Sequence, residues 1–314
     1  MPDTATETGP FSPHFRIEDL ADGVFAAIAS DTGFGLCNGG IIDLGGATVV
    51  FDSMLTPQAG ADLRRAAEKL TKHPVTYLIN SHYHGDHIRG NASFPSVRIV
   101  STRKVRELIE ERALAALESD RTSAPTDLAD LQAGRIPATP RDVDIWTGWL
   151  RGIIETPAGT MIPSPDLFVE DRFILRGAKR ELWVMSYGGG HSPSDVFGYL
   201  PDEKVTFLGY LVSVGYHPGV TDGFPKEWLR ILDSIRELHP YRVVPGHGSM
   251  GGDPDIVAIQ DYLRELMQIS RTARTVGRSR DQVRATAVPA RFSSWCFKAF
   301  FPDNLLRVYD LAES

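Results

Sequence analysis

Between Leu78 and Asn91 the chain reads LINSHYHGDHIRGN, which places His82, His84, Asp86 and His87 within six residues. Imidazole nitrogen and carboxylate oxygen are the donors that zinc takes without a strong geometric preference. Four such donors in one short loop do not all reach one ion, because the backbone between them is short and aims them differently. They divide into two sets, His82 with His84 and Asp86 with His87, which suggests two neighbouring metals. Gly85 permits the unusual backbone such a loop needs, and a helix starting near Asp86 would account for the tight turn.

Each set needs donors from elsewhere. The chain has nine histidines, and two of the remaining six share one context. His191 stands in GGGHSPSDV and His247 in VVPGHG, each in a glycine-flanked loop after a β-rich run. His14, His73 and His239 lack that setting. A hydrogen-bonded polar core would leave too many histidines without a purpose, so the five histidines and Asp86 are read as metal ligands.

The elements that position these donors are legible around them. FRIEDLADGVFAAIAS and GLCNGGIIDLGGATVVFDS are β-rich runs punctuated by Asp-Gly and Gly-Gly, which predicts antiparallel hairpins. TPQAGADLRRAAEKLT carries Leu63, Ala66, Ala67 and Leu70 at helical spacing after Thr56-Pro57. VTYLIN then reads as a buried strand that ends at the histidine loop. Strand, helix, strand and polar loop is the layout in which α/β sites lie beyond the carboxyl ends of strands.

Residues 101 to about 155 read as a helical insert. Val105, Leu108, Ile109, Leu114 and Leu117 form one helical stripe, and Val143, Trp146, Trp149, Leu150 and Ile153 form another. These stripes are expected to be core; the sharper alternative is that the tryptophans line a substrate mouth. LFVEDRFIL, RELWVMSY, VFGYL and KVTFLGYLV return to strands, PKEWLRILDSIREL to an amphipathic helix, and residues 253–314 to helix. The expected organisation is a loose tail over residues 1–14, one α/β domain over 15–250, and a helical C-terminal extension over 251–314 packed on it.

Composition narrows the function. A formal net charge of −7 argues against a nucleic-acid binder, whose affinity comes from Lys and Arg neutralising phosphates. Cys37 and Cys296 are the only cysteines, too few for a disulfide framework or a cysteine zinc knuckle. Cys37 is expected as a small buried residue in a hairpin loop. No signal-like start and no run of about 18–20 apolar residues occurs, so the expectation is a cytoplasmic protein without a membrane partner, acting on a small molecule. The oligomeric state has no signature in the text.

HYHGDH resembles the His-x-His-x-Asp-His motif of the metallo-β-lactamase superfamily, and GGGHSPSD and VPGHG follow in that family's order. The resemblance spans roughly Phe15 to His247. It implies an αβ/βα four-layer sandwich with metals at one edge between the sheets. It also implies that His82, His84 and His191 hold one metal, that Asp86, His87 and His247 contribute to a second, and that Asp52 in VVFDS orients the ligand loop. One position departs from the pattern: KVTFLGYLVSVGYHPG puts Tyr210 where the family commonly has an aspartate bridging the metals. Tyr210 is open to three readings: a phenolate ligand, a hydrogen-bond donor to substrate or a developing oxyanion, or a core-facing ring. Asp195, Asp222 and His217 lie near enough in sequence to compensate, and His217 is placed on a rim that touches substrate.

The chemistry expected is metal-dependent hydrolysis of an ester, thioester, lactone or related organic substrate. Zinc, one or two ions per chain, would make water acidic enough to attack near neutral pH, with Asp86 positioning it and Tyr210 stabilising the oxyanion. The alternatives are an iron-dependent redox enzyme on the same scaffold and a non-catalytic metal-binding member.

Overall fold

The computed structural model describes residues 11–311. Seven strands form a first sheet in sequence order: β1 Phe15–Ala21, β2 Val24–Ala29, β3 Gly39–Asp43, β4 Thr48–Phe51, β5 Val75–Ile79, β6 Arg98–Ser101 and β7 Leu167–Phe168. The pairs from β1 to β4 are antiparallel, as the Asp-Gly and Gly-Gly turns demand, and β4 to β7 run parallel. A second sheet has the order β12-β11-β10-β9-β8, from β8 Arg172–Arg176, β9 Glu181–Met185, β10 Phe197–Leu200, β11 Val205–Phe207 and β12 Arg242–Val244.

Alternation along the strands decides what each face meets. Ile42, Val49, Phe51 and Ile79 point toward Leu182, Val184, Leu200 and Phe207 of the second sheet, forming the central core. Their neighbours Ile41, Val50 and Leu78 point the other way, onto Leu63, Ala66 and Ala67 of α1 (Pro57–Thr71). The outer face of the second sheet, with Phe197, Tyr199 and Val243, is covered by Trp228, Ile231 and Leu232 of α6 (Pro225–Arg236) and by Ile259 and Leu263 of α7 (Asp253–Thr275). The result is a four-layer sandwich, helix on sheet on sheet on helix, in which α7 of the C-terminal extension joins α6 in the outer layer and the rest of the extension packs on them.

Helix signals in the text operate where they stand. Thr56 caps α1 by accepting from Ala59 N, with Pro57 in the first turn. Thr139 and Asp142 form a reciprocal capping box at the start of α5 (Pro140–Glu155). The remaining helices are α2 Gly85–Ile88, α3 Arg103–Leu108, α4 Leu114–Gln132, α8 Arg280–Arg284 and α9 Phe301–Leu311.

Three expectations need restating. The first helical stripe breaks at Ile109–Ala113, a wider π turn. The extra residue rotates the face, so Ala113 is buried while Leu114 is 45% exposed. KVTFLGYLV is a strand only through Phe207, after which Gly209–Leu211 coils into a 3₁₀ turn. Gly209 sits at φ +50°, and a Cβ there would stand 2.4 Å from that of Ser81. The first ten residues of the expected tail lie outside the described residues, whereas His14 accepts from Phe34 N through its ring and stacks on the Phe34 ring.

Candidate metal centre

The histidine loop is anchored before it holds anything. As β5 ends, Asp52 N donates to Ile79 O and Asn80 N to Val100 O. Asp52, at φ +55° and wholly buried, accepts from Ser81 N at 2.7 Å, Ser81 Oγ at 2.8 Å and His87 Nδ1 at 2.7 Å. Asn91 closes the far end of the loop by exchanging side-chain bonds with Asn80 and accepting from Ser53 Oγ. Between these anchors His84 immediately precedes the short helix α2, which presents Asp86 and His87 from its single turn.

The other two histidines are fixed in the same manner. Asp195 accepts from Gly190 N and Ser192 N, folding the loop around His191. His191 Nδ1 lies 2.9 Å from Gly219 O, and His247 Nδ1 lies 3.2 Å from Leu36 O. Both contacts require an N–H on Nδ1, as does that of His87 with Asp52. Hydrogen-bond partners therefore place a proton on Nδ1 of all three rings and leave Nε2 of each as the nitrogen turned toward the site. His84 is turned round: its Nε2 faces Asp222 Oδ2 at 3.3 Å, which leaves Nδ1 free.

These atoms converge. His82, His84 and His191 offer ligand atoms within 4.8 Å of one another, and so do Asp86, His87 and His247. His84 Nδ1 and His191 Nε2 stand 3.0 Å apart with no proton assigned between them. Asp86 Oδ2 is 3.3 Å from both His87 Nε2 and His247 Nε2. Nε2 of His82, His87 and His247 is buried and makes no hydrogen bond that meets ordinary geometry. Burial, reinforced by the neighbouring imidazoles, holds His82 and His191 well below the usual histidine range and keeps them neutral. Buried acceptors aimed at one another fit a cation in their midst, and imidazole with carboxylate suits zinc or a similar divalent ion.

Tyr210 lies at this centre. The turn at Gly209 directs its ring between His191 and His247, at centroid distances of 4.2 and 4.3 Å, and it lines the same cavity. The core-facing reading does not hold. Its Oη accepts a long hydrogen bond from Gly219 N at 3.4 Å, and burial, then Asp86, pushes the phenol up. Cys37 is wholly buried, with its thiol raised to about 11 by burial. His217 is misplaced by the sequence reading. It is fully buried, its ring nitrogens meet Tyr262 Oη and Phe292 O at 3.1 Å each, and it pins the C-terminal extension instead of a substrate rim. Asp222, grouped with it as a compensating residue, does reach the site and binds both His84 and Tyr83 Oη.

A cavity of about 280 Å³ opens over the two trios. Trp146 and Trp149 line it, together with Leu36, Leu55, Phe297 and Phe300. The two phenylalanines were missed. Their signal was WCFKAFF, four aromatics in seven residues without helical spacing.

The model of the metallo-beta-lactamase superfamily matches residues 32–247. The chain is 23% identical over 257 residues to a linear primary-alkylsulfatase of a Pseudomonas species, covering 78% of this chain and 44% of that protein. It is 28% identical over 99 residues to a metallo-beta-lactamase type 2 of Bacteroides fragilis, covering 29% and 39%. It thus spans less than half the length of either relative. Among solved structures, a metallo-beta-lactamase from Pontibacter korlensis superposes with a TM-score of 0.59 at 18% identity, covering 80% of this chain and 99% of that one. The DIM-1 metallo-beta-lactamase gives 0.57 at 16%, covering 81% and 98%. At such identities the likeness is one of fold, whereas the family match takes in well over half the sequence and both ligand trios; the chain belongs to the metallo-beta-lactamase superfamily.

Proposed function

We propose that the protein is a metal-dependent hydrolase acting on an ester, thioester, lactone or related organic substrate. The observation that carries this reading is the convergence of six imidazole and carboxylate donors in two adjacent trios beneath one cavity. Zinc bound there would supply Lewis acidity and water acidic enough to attack near neutral pH. Asp86, half-buried between His87 and His247, is the carboxylate that would orient the attacking water and take its proton. Tyr210, whose Oη faces the cavity beside both trios, donates its proton as a hydrogen bond to the oxygen on which charge develops. The relatives' printed activities, on alkyl sulfates and β-lactams, are hydrolytic and support the reaction class without fixing the substrate.

The test is metal content and turnover in one preparation. Zinc per chain is counted in the wild type and in the double variant His82→Ala/His84→Ala, alongside hydrolysis of an aryl ester, a thioester and a lactone panel. The variant should lose most of one equivalent of metal and all hydrolysis. Retained turnover without that metal would overturn the assignment.

A further inference from the structure

The apolar wall of the cavity comes from two stretches far apart in sequence. Trp146 and Trp149 belong to α5, and Phe297 and Phe300 to the segment between α8 and α9. Trp146 stacks on Phe297 with centroids 5.7 Å apart and planes at 21°, and Phe297 stacks on Phe300 at 5.3 Å and 17°. Three rings therefore form one continuous stack. The phenylalanines lie beyond residue 247, where the family match ends.

The join between the two stretches is built with care. Phe297 sits at φ +60°, a left-handed backbone that a bulky residue rarely adopts. Its N–H donates to Asp142 Oδ1 at 2.9 Å, while Asp142 Oδ2 accepts from Thr139 N at 3.0 Å. One buried carboxylate thus fixes both the start of α5 and the ring that α5 stacks on. Cys296 N adds a bond to Gly215 O. Backbone strain held in place at a cavity wall is the pattern of a binding surface; simple filling of a core does not demand it.

Charge narrows the ligand. Arg89 is the cation among the described residues lining the cavity; its Nη2 is paired with Asp120 at 2.5 Å, and its Nε lies buried against Gly85 without a hydrogen-bond partner. Asp120, in the same lining, already balances that charge, so the described wall offers a distal anionic group no net positive charge. We propose that the stack of Trp146, Phe297 and Phe300, with Trp149, binds an uncharged apolar acyl group of the substrate, an aryl ring or a medium-length alkyl chain. This rests on the hydrolase reading for its chemistry but on the wall alone for its selectivity.

Two measurements on the zinc-loaded full chain test it. Hydrolysis is compared for acetate, hexanoate and adipate half-esters of one alcohol. kcat/KM should rise on the order of 10²-fold from acetyl to hexanoyl, following the buried methylenes, and fall back when the chain ends in a carboxylate. Trp149→Ala and Phe300→Ala should flatten that series, and Trp149→Phe, the milder change, should keep most of it. Binding of the neutral fluorophore N-phenyl-1-naphthylamine is followed in parallel, with Kd expected to weaken about tenfold in Phe300→Ala at unchanged metal content. Probe binding lost in that variant, with no ester cleaved by the wild type, would sink the hydrolase reading and leave the wall standing. Hydrolysis indifferent to acyl length and terminal charge, with probe affinity unchanged in all variants, would overturn the wall.

Discussion

His87 donates its Nδ1–H to Asp52 across 2.7 Å, and both side chains are completely buried. The same carboxylate accepts from Ser81 N and Ser81 Oγ, and Ser81 Oγ in turn meets His82 Nδ1 at 2.9 Å. One residue of β4's end therefore sets a ring in each ligand trio. Asp52→Asn should weaken metal binding by about 10- to 100-fold, the usual cost of losing a partner that orients a ligand. Competition against a chromophoric chelator measures it. Wild-type affinity in the variant would show that the loop holds its shape without this carboxylate.

Tyr210 invites two substitutions with opposite readouts. Tyr210→Phe keeps the ring between His191 and His247 and removes only the hydroxyl, so metal content should hold. kcat should fall by about 10²- to 10³-fold, the effect of removing one oxyanion donor. An unchanged kcat would leave Tyr210 a packing role. Tyr210→Asp restores a carboxylate where the family commonly has one and should raise the metal-to-protein ratio at limiting zinc; the same ratio in both proteins would show that the tyrosine costs the second trio nothing.

Gly90 follows the ligand loop directly, and its N–H donates to Met54 O. A Cβ at this position would lie 1.8 Å from Ser53 O, a backbone atom that cannot move aside cheaply. Gly90→Ala should destabilise the protein by ~3 kcal/mol, at the upper end for overpacking, and lower metal affinity with it because Ser53 also bonds His87 O and Asn91. Denaturant titration of the apo and zinc-loaded forms separates the two effects. A variant as stable as the wild type would mean the chain relaxes here more readily than the close approach implies.

Much of this site was readable in the text because ligands of one ion announce themselves by type and spacing. His82, His84, Asp86 and His87 were divisible into two sets from chain length alone, and glycine context picked out His191 and His247. Asp52 needed the family resemblance, since nothing local distinguishes a buried loop aspartate. What escaped depended on contacts between distant segments. His217 looked like a rim residue because its neighbours Pro218 and Gly219 are turn formers, yet Tyr262 and Phe292 enclose it from the far C-terminal side. Phe297 and Phe300 carry no periodicity, and bonds between distant segments, Phe297 N to Asp142 and Cys296 N to Gly215 O, bring them to the cavity. The π turn at Ile109–Ala113 likewise obeys packing that a fixed helical period does not express.

His217 also gives a pH prediction. Burial, with a smaller contribution from Lys298, lowers it to about 4, against the opposing effects of Phe292 O and Asp142. The neutral ring satisfies both its partners, one nitrogen facing Phe292 O and the other Tyr262 Oη. In the unfolded chain its pKa is about 6.5, so between these two values the unfolded state binds the extra proton. Stability must then fall as pH drops from about 6.5 toward 4, by up to ~3 kcal/mol from this residue alone. His217→Gln removes the titration while retaining a donor and an acceptor. The stability gap between wild type and variant, read by denaturant titration from pH 7 to 4.5, should favour the wild type at neutral pH and narrow steadily as the pH falls. A gap that stays constant would mean that His217 takes up its proton without loss in the folded protein, and that Tyr262 turns to accept it.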